Sequence, residues 1–225
     1  MKKIVVILYG PPGSGKGTQA NIIAHKLNLI HFDTGRFLED LVHDPERQRE
    51  KIVKRERALF DKGILMTPSF VLREVANKVR ELRKAGWGII FSGSPRTMYE
   101  ANALLPILNK LYGKKNIYVF LLNIPPKFSI ERNGRRLVCS VCGHMVLAAY
   151  HPLTVPKHCP VCAGPLYKRT LDTPDVIKVR LVEFKNRTLP ILKLLKKQKY
   201  RVNVINALPA PHKVLHKIYA HLKKA

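Results

Sequence analysis

The sequence predicts an α/β fold, in which a five-stranded parallel sheet forms the middle of three layers, and two observations predict it. Short apolar runs alternate with helical stretches along the chain, which is the pattern of consecutive strand–helix–strand units. A glycine-rich segment, 9-YGPPGSGKGTQA-20, follows the first apolar run, and such a turn between a buried strand and a helix is typical of a phosphate-binding loop, or P-loop. The five expected strands cover residues 3–9, 29–33, 88–93, 117–124 and 201–206.

Four further stretches have the apolar spacing of helices. Residues 16–27 leave the glycine-rich turn, and residues 68–85 form a long amphipathic pattern. We expect residues 174–197 to form a helix that is bent or interrupted near Pro190, because proline has no backbone N–H to donate. The last helix, at 211–223, closes the core with one apolar face formed by Val214, Leu215, Ile218 and Leu222.

Two stretches interrupt this alternation. Residues 35–67 are helical and charged, and residues 137–168 are rich in Cys, Pro, Gly and His but poor in continuous apolar sequence. Both are expected to be insertions above the carboxyl edge of the sheet, where open α/β folds bind their ligands. The predicted organisation is therefore a core with two covers, and the core comprises residues 1–34, 68–136 and 169–225.

Composition argues against a membrane-spanning chain and for anionic ligands. No apolar run is long enough to cross a bilayer, and the apolar segment near the N-terminus is too short for a signal peptide, so we expect a cytoplasmic protein. The 41 Lys and Arg residues outnumber the 15 acidic residues and give a formal net charge of +26. Such a field attracts nucleotides, nucleic acid or an acidic membrane face, and the alternative is a uniformly basic solvated surface with no special partner. Because the basic residues are spread along the whole chain, nucleic acid is kept as an alternative partner and is not favoured.

The glycine-rich segment has the chemistry of a polyphosphate cradle. Its four glycines remove Cβ atoms where the backbone wraps an anion, and the helix that follows adds its positive end. The usual pattern has Ser or Thr directly after the Lys, whereas here Gly17 separates Lys16 from Thr18 and moves the hydroxyl by one residue. The residues expected to hold the phosphates are Gly13, Ser14, Gly15, Lys16, Gly17 and Thr18.

Four cysteines form the pattern CxxC–x16–CxxC, in 139-CSVC-142 and 159-CPVC-162. Paired CxxC knuckles at this separation are typical of a tetrahedral zinc site, and four thiolates leave no open position for catalysis. Two disulfides are the alternative, which the expected cytoplasmic location and the strain of CxxC bridges disfavour. The sequence therefore predicts a structural zinc ion held by Cys139, Cys142, Cys159 and Cys162.

Further motifs follow the glycine-rich loop in a fixed order: 33-DTG-35, 93-GSPRT-97, 132-RNGRR-136, 169-RTLD-172 and 178-KVRLVEF-184. Together with GxPGSGKGTQA they make the chain resemble adenylate kinases and related nucleoside monophosphate kinases over nearly its whole length. The displaced Thr is this family's own version of the loop. The cysteine-bearing stretch is similar to the zinc-bearing lid of some bacterial adenylate kinases.

This resemblance implies an activity and its partners. The expected reaction is the reversible, magnesium-dependent transfer of the γ-phosphoryl group of ATP to AMP, which gives two ADP. By the same resemblance, residues 35–67 would bind the nucleoside monophosphate, residues 137–168 would form a lid, and the chain would be a monomer.

The resemblance also implies roles for individual residues. Arg132 and Arg136 lie four apart, are expected on one helix face and would reach ATP, with Arg135 as the alternative to Arg136. Arg169 and Arg180 would close over the transferring phosphoryl group from the lid side. The implied catalytic set is Lys16, Arg96, Arg136, Arg169 and Arg180. The implied monophosphate-binding set is Thr34, Arg36, Met66, Gly93, Arg96, Glu100, Arg169 and Arg180.

The acceptor side departs from the family pattern in two motifs. After Thr34–Gly35 the family usually has an acid and, three residues later, an Arg that grips the acceptor phosphate, whereas this chain has Arg36 and Glu39. The family's acid before GxPR, which orients magnesium through water, is Ser92 here, and the aromatic residue of the same motif is Ser94. Asp172 is then the nearest motif acid for the metal shell.

Glu100 bears on the identity of the acceptor. It occupies the position of the family's Gln that reads the edge of the AMP base. An ionised Glu only accepts hydrogen bonds, which suits the two donors of guanine and makes GMP an alternative acceptor. Glu100 could also simply begin a helix and point to solvent. A third reading, from another class, is a nucleotide-binding protein without transferase activity that binds nucleic acid.

Overall fold

The computed structural model describes residues 3–147 and 156–222, and its centre is a parallel sheet of five strands in the order β2-β3-β1-β4-β8. All five strands expected from the sequence are present within a residue or two of their expected limits. The strands are β1 (Val5–Tyr9), β2 (Leu29–Phe32), β3 (Gly88–Phe91), β4 (Ile117–Asn123) and β8 (Val202–Asn206).

The central strand β1 is apolar along its whole length because both of its faces are covered. Its five residues are buried, and Val5 pairs with Ile89 on one side and with Ile117 on the other. Such a continuous apolar run is typical of a parallel strand between two helical layers. Alternate side chains enter different cores: Tyr9 packs in one hydrophobic cluster and Leu8 in the other.

Nine helices of regular α type lie among the described residues, and they form the outer layers. The cluster that contains Tyr9 is built with helices α4, α5 and α8, whereas the cluster that contains Leu8 is built with helices α1 and α9. The helices are α1 (Lys16–Leu27), α2 (Thr34–His43), α3 (Lys51–Asp61), α4 (Pro68–Lys84), α5 (Met98–Tyr112), α6 (Pro126–Gly134), α7 (Pro174–Glu183), α8 (Ile191–Lys197) and α9 (Pro211–Leu222). The described chain therefore has the predicted three-layer architecture.

The interruption expected near Pro190 is present. Helix α7 passes into a π-helical turn, Phe184–Thr188, before α8 begins. The Leu189 N–H donates to the Phe184 carbonyl five residues earlier, at 2.8 Å. A proline removes one N–H donor from the hydrogen-bond ladder of a helix. The wider π-helical turn lets the helical chain continue past Pro190.

The last helix carries the apolar face expected from its spacing. Val214, Ile218 and Leu222 are buried, and Leu215 packs against the same cluster while partly exposed. Residue 223, the expected last residue of this helix, lies outside the described residues. No helix in the described part of the chain is both long and apolar enough to cross a membrane.

The two interrupting stretches differ in secondary structure. Residues 35–67 contain most of α2, a short 3-10 helix (Pro45–Arg47) and α3. Residues 136–167 contain a small antiparallel sheet in the order β6-β5-β7. Its strands are β5 (Arg136–Cys139), β6 (Met145–Leu147) and β7 (Leu166–Tyr167), and residues 148–155 lie outside the described part.

The expectation that Arg132 and Arg136 share one helix face is wrong. Helix α6 ends at Gly134, and Arg136 is the first residue of β5, where it pairs with Leu147. A glycine is a poor helix residue, and the apolar residues that follow it gain more by pairing in the small sheet than by extending the helix. The two arginines therefore reach the same region from different elements.

Candidate active site

A cleft opens at the carboxyl ends of strands β1, β2 and β3. Its walls come from the glycine-rich loop, the loop after β3, the stretch after α3, and the residues on either side of the small antiparallel sheet. The carboxyl edge of a parallel sheet is where such folds place ligands, because the strand–helix loops meet there. Of the residues expected to act in catalysis or binding, the cleft is lined by Gly13, Gly15, Lys16, Gly17, Thr18, Gly93, Arg96, Arg132, Arg136, Arg169 and Arg180.

The glycine-rich loop is held in shape by helix α6. Gly13 has φ +71°, a conformation that favours glycine, and a Cβ there would lie 2.6 Å from the Asn133 side-chain nitrogen. Asn133 donates to the Ser129 carbonyl at 2.7 Å, and the Ser129 hydroxyl donates to the Pro12 carbonyl at 2.6 Å. The close approach of α6 therefore requires a glycine at position 13.

Lys16 lies at the start of α1 with its ammonium group turned back into the loop. Its Nζ donates to the carbonyls of Gly10 and Pro11, each at 2.8 Å. Burial lowers the pKa of Lys16 from 10.5 to about 7, and the charges of Arg96 and Arg180 add to this effect. Burial and neighbouring charges make the ammonium form of Lys16 unfavourable in the free protein, so an anion that enters the loop stabilises that form.

Two arginines beside Lys16 are destabilised as cations for the same reasons. Burial lowers the pKa of Arg180 to about 9, helped by the neighbouring charges of Arg136 and Arg96. The pKa of Arg96 is also lowered, again first by burial. Its Nε donates to the Gly93 carbonyl at 2.6 Å, which fixes the guanidinium at the rim of the loop after β3. The cleft is thus a concentrated positive field that suits a polyphosphate.

Carbonyl groups and one carboxylate orient the remaining arginines. Arg132 donates to the carbonyls of Ala207 and Leu208, at 2.9 and 2.8 Å. Arg136 forms a two-pronged ion pair with Asp172, at 2.9 and 2.5 Å. A paired fork of this kind fixes the plane of the guanidinium.

The arrangement of Asp172 differs from the expectation that it is free for a metal shell. Its side chain is fully buried and is the partner of Arg136, while Arg180 lies 3.7 Å away. Asp172 therefore positions two of the cleft's arginines in this conformation.

The exchanged charges on α2 contact two different segments near the small antiparallel sheet. Glu39 forms a short ion pair with Arg169, which itself lines the cleft. Arg36 is exposed, does not line the cleft, and has its guanidinium against Gly143 in the first cysteine knuckle. Helix α2 thus contacts the turn between β5 and β6 and the chain that follows β7.

Several expected binding residues lie behind the cleft wall. Ser14 and Thr34 are buried, Met66 belongs to the apolar core, and none of the three lines the cleft. The Thr34 hydroxyl is buried without a hydrogen-bond partner among the described residues.

Glu100 lies in the first turn of helix α5, as one alternative expected, but it does not point to solvent, so that part of the alternative is wrong. Its side chain is buried and accepts hydrogen bonds from the Arg96 N–H and the Thr97 hydroxyl, each at 2.9 Å. Burial raises its pKa. The Thr97 hydroxyl caps α5 by accepting from the Glu100 N–H at 3.2 Å, which is one half of a capping box. The role of Glu100 in reading a base stays a prediction.

Sequence reasoning missed a polar group at the ends of β2 and β3. Asp33 lines the cleft and caps α2, because one carboxylate oxygen accepts from the N–H groups of Gly35 and Arg36. Beside it, His31 contacts the Asn21 amide oxygen through Nδ1 at 2.5 Å and the Ser92 hydroxyl through Nε2 at 2.8 Å. The signal was available, since residues 31, 33 and 92 all lie at the carboxyl ends of neighbouring predicted strands.

The four cysteines come together as their spacing predicts. All are free, and their sulfur atoms lie within 4.8 Å of one another. Backbone N–H groups of Val141 and Cys142 approach the Cys139 sulfur, at 3.4 and 3.5 Å, and the Val161 N–H approaches the Cys159 sulfur at 3.4 Å. Such a cluster fits a tetrahedral metal ion, with the amide groups stabilising thiolates.

The fold and the cleft define a P-loop protein that holds polyphosphates among several arginines. Comparison with known proteins identifies the family, because the model for adenylate kinase matches residues 8–200. A Methanothrix thermoacetophila protein named adenylate kinase is 34% identical over 187 residues, which are 83% of this chain and 84% of the relative. Proteins of the same name from Chlamydia pneumoniae and Caldicellulosiruptor saccharolyticus are 32% and 29% identical, over 85% and 89% of this chain and 84% and 90% of their own.

The chain therefore belongs to the adenylate kinase family, and it is an enzyme of the nucleoside monophosphate kinase class with adenylate kinase function. The prediction made from the ordered motifs is confirmed.

The lowered pKa of Lys16 gives a testable consequence. Between about pH 7 and 10.5 the free protein has lost a proton that an ordinary lysine would keep. Bound phosphates favour the ammonium form, so ATP binding at about pH 8 should take up close to one proton. Titration calorimetry in two buffers of different ionisation enthalpy measures this uptake.

Lys16→Arg is the matched control, because a guanidinium keeps the charge and does not titrate in this range. It should bind ATP with little proton uptake. Equal uptake by both proteins, or none by the native one, would show that Lys16 is not the group that titrates.

Proposed function

We propose that the chain transfers the γ-phosphoryl group of ATP to AMP, giving two ADP, and that the cleft is where this happens. The observation that carries the proposal is the convergence of cationic side chains on one cleft beside a phosphate loop. They are Lys16, Arg96, Arg136, Arg169 and Arg180. The relatives' common name supports AMP as the acceptor.

Phosphoryl transfer needs two phosphates in line and the neutralisation of charge on the group in transit. The glycine-rich loop and Lys16 would hold the β- and γ-phosphates of ATP, with Arg132 and Arg136 on its other side. Arg96 would hold the acceptor phosphate from the core. Arg180 and Arg169 would contact the transferring group, since both line the same cleft.

Exclusion of water is the second requirement, because a free water molecule would compete with the acceptor. We assign this task to two covers, residues 137–168 as a lid on ATP and residues 35–67 as the acceptor-binding segment. Met145 of β6 supports the first assignment: it lines the cleft, and a Cβ at Gly17 would lie 2.8 Å from its terminal methyl carbon. The Glu39–Arg169 pair supports the second, because it joins α2 to the chain that leaves the lid.

Magnesium fits the polar group at the ends of β2 and β3. When bound with ATP it would neutralise phosphate charge, and its waters need acceptors in the protein. Asp33 and Glu183 are the carboxylate side chains among the described cleft residues, and Glu183 already accepts from the Leu65 N–H and from Arg187. Asp33 uses one oxygen to cap α2, which leaves its second oxygen for water.

Ser92 would assist Asp33 as an acceptor. An amide oxygen only accepts, so His31 donates through Nδ1 to Asn21, and burial lowers the pKa of His31 and favours the neutral ring. Nε2 then accepts from the Ser92 hydroxyl, whose remaining lone pairs are free for a donor. We propose that Asp33 and Ser92 together take the part of the family's acid at position 92.

Asp33→Asn tests this assignment, since Asn keeps an oxygen for the cap of α2 and loses the charge. Without magnesium, ATP affinity should stay the same or rise. The gain in ATP affinity on adding magnesium should fall about tenfold, because a hydrogen bond to a charged group is lost. Calorimetric titration of ATP with and without magnesium measures both numbers.

Asp175→Asn makes the same chemical change at an exposed position and should alter neither value. An unchanged magnesium gain in Asp33→Asn, together with a reduced one in Glu183→Gln, would move the role to Glu183.

The identity of the acceptor is tested by turnover with magnesium and ATP against AMP, GMP, CMP and UMP in separate reactions, with products resolved by chromatography. We expect AMP to be used most efficiently. GMP is the second candidate, because the Glu100 carboxylate would suit guanine's donors if it left its present partners, the Arg96 N–H and the Thr97 hydroxyl. Lys16→Ala should lower turnover by about 10²–10³, the size of effect seen when one electrostatic stabiliser is removed.

Lys178→Ala, at an exposed position, is the control for a lost lysine. Transfer to none of the four acceptors, with nucleic acid bound in a strongly salt-dependent way, would favour the reading of a nucleotide-binding protein without transferase activity.

We further propose that the four cysteines hold a structural zinc ion. Protein purified with intact thiols should contain one zinc per chain by metal analysis. Cys142→Ser should lose the metal and lower the thermal midpoint by about 5 °C, because the small sheet has little apolar core of its own. Ser140→Ala, in the same knuckle, should keep both metal and midpoint. A native protein without stoichiometric metal would contradict the assignment.

A further inference from the structure

Two residues that line the cleft have buried hydroxyl groups without a hydrogen-bond partner among the described residues. They are Tyr9, which is 4% exposed, and Ser94, which is 3% exposed. A buried hydroxyl that makes no hydrogen bond is unfavourable for the folded protein, so its presence at a binding cleft points to a ligand that pairs with it.

Other buried phenols of this chain show the ordinary arrangement. The Tyr200 hydroxyl donates to the Asn109 side chain at 2.7 Å, and the Tyr112 hydroxyl donates to the Trp87 carbonyl at 3.0 Å. Both of these residues lie away from the cleft. The unpaired state of Tyr9 is therefore a property of its position and not of tyrosine in this core.

Tyr9 and Ser94 belong to the acceptor side of the cleft. Tyr9 ends β1, and Ser94 follows β3, the strand that pairs with β1. Ser94 is two residues from Arg96, to which we assign the acceptor phosphate. Tyr9 faces the layer that contains α5, and the charge of Glu100 on α5 contributes to raising its pKa after burial itself.

Glu100 is already engaged, whereas the two hydroxyls have no partner within the described part of the chain. Each Glu100 oxygen accepts a hydrogen bond from its own loop, from Arg96 or from Thr97. A hydroxyl both donates and accepts, so a pair of hydroxyls can match the donor and the acceptor on the edge of adenine. Phe60, Ile64 and Leu65 also line the cleft and supply apolar surface for a ring.

We propose that the Tyr9 and Ser94 hydroxyls are specificity-determining groups that hydrogen-bond to the base of the acceptor nucleotide. The inference rests on the proposed function, in which a nucleoside monophosphate occupies this side of the cleft. It assigns the reading of the base to residues that come from the ends of β1 and β3, in addition to any contribution from Glu100.

Tyr9→Phe and Ser94→Ala test the proposal because each removes the hydroxyl with little change of shape. In the free protein no hydrogen bond is lost, so the thermal midpoint should stay the same or rise. The KM for AMP should rise about 3- to 10-fold, the effect of one lost hydrogen bond, while the KM for ATP stays unchanged.

Ribose 5-phosphate separates the reading of the base from the reading of the phosphate, because it is an AMP without a base. Its inhibition constant against AMP should be the same for both variants and the native protein. Equal weakening of AMP and ribose 5-phosphate would overturn the proposal, since the hydroxyls would then act on the sugar or phosphate.

Tyr200→Phe is the matched control, and we expect the opposite change in its thermal midpoint. It loses a hydrogen bond in the free protein, so its thermal midpoint should fall while its KM for AMP stays unchanged. The same behaviour in Tyr9→Phe and Ser94→Ala would show that those hydroxyls are structural and would overturn the inference.

The outcome is distinguishable from a failure of the proposed function. If the native enzyme transfers phosphate to AMP and the two variants keep its KM, the inference alone fails. If the native enzyme uses no monophosphate at all, the proposed function fails, and AMP binding to the native protein and the two variants still tests the inference by calorimetry.

Discussion

Several positive side chains are buried together at one edge of a sheet, and the cost of burying these charges is the constraint on which the rest of this structure depends. Burial lowers the pKa values of Lys16, Arg96 and Arg180, and the positive charges of neighbouring arginines lower them further. Such a cluster is unfavourable in the free protein and becomes favourable when polyphosphates enter. The free protein therefore has lower folding stability at the site where phosphate binding releases free energy.

The fold holds this cluster with neutral and negative partners that leave its inner side open. Backbone carbonyls of the glycine-rich loop accept from Lys16, and those after β8 accept from Arg132. Asp172 fixes Arg136, and Glu39 pairs with Arg169. Because these partners come from the core, the chain after the small sheet and α2, the position of each cation depends on how those segments pack together.

The acceptor side shows a consistent set of exchanges. Glu39 stands where a phosphate-binding Arg was expected from the resemblance, but it pairs with Arg169 and thus adds no unpaired negative charge beside a phosphate. Position 92 has Ser in place of the family's acid, and Asp33, which directly follows the neighbouring strand β2, supplies a carboxylate in the same cleft. At position 94 an aromatic has become a small hydroxyl residue, and the same wall has a tyrosine at the end of β1. Each residue that differs from the family pattern therefore has a nearby residue that compensates for the change in charge or polarity.

The sequence by itself determined the features that depend on local pattern. The apolar runs predicted all five strands of the sheet, the loop around Lys16 followed from its glycines, and the spacing of the cysteines predicted their cluster. Tertiary structure decided the contacts between distant segments: Arg136 begins a strand and meets Asp172, Glu39 reaches Arg169, and the Tyr9 hydroxyl has no partner among the residues that the structure describes. Periodicity and turn chemistry act over a few residues and are legible in sequence, whereas the partner of a charged or hydroxyl group is set by the packing of elements far apart along the chain.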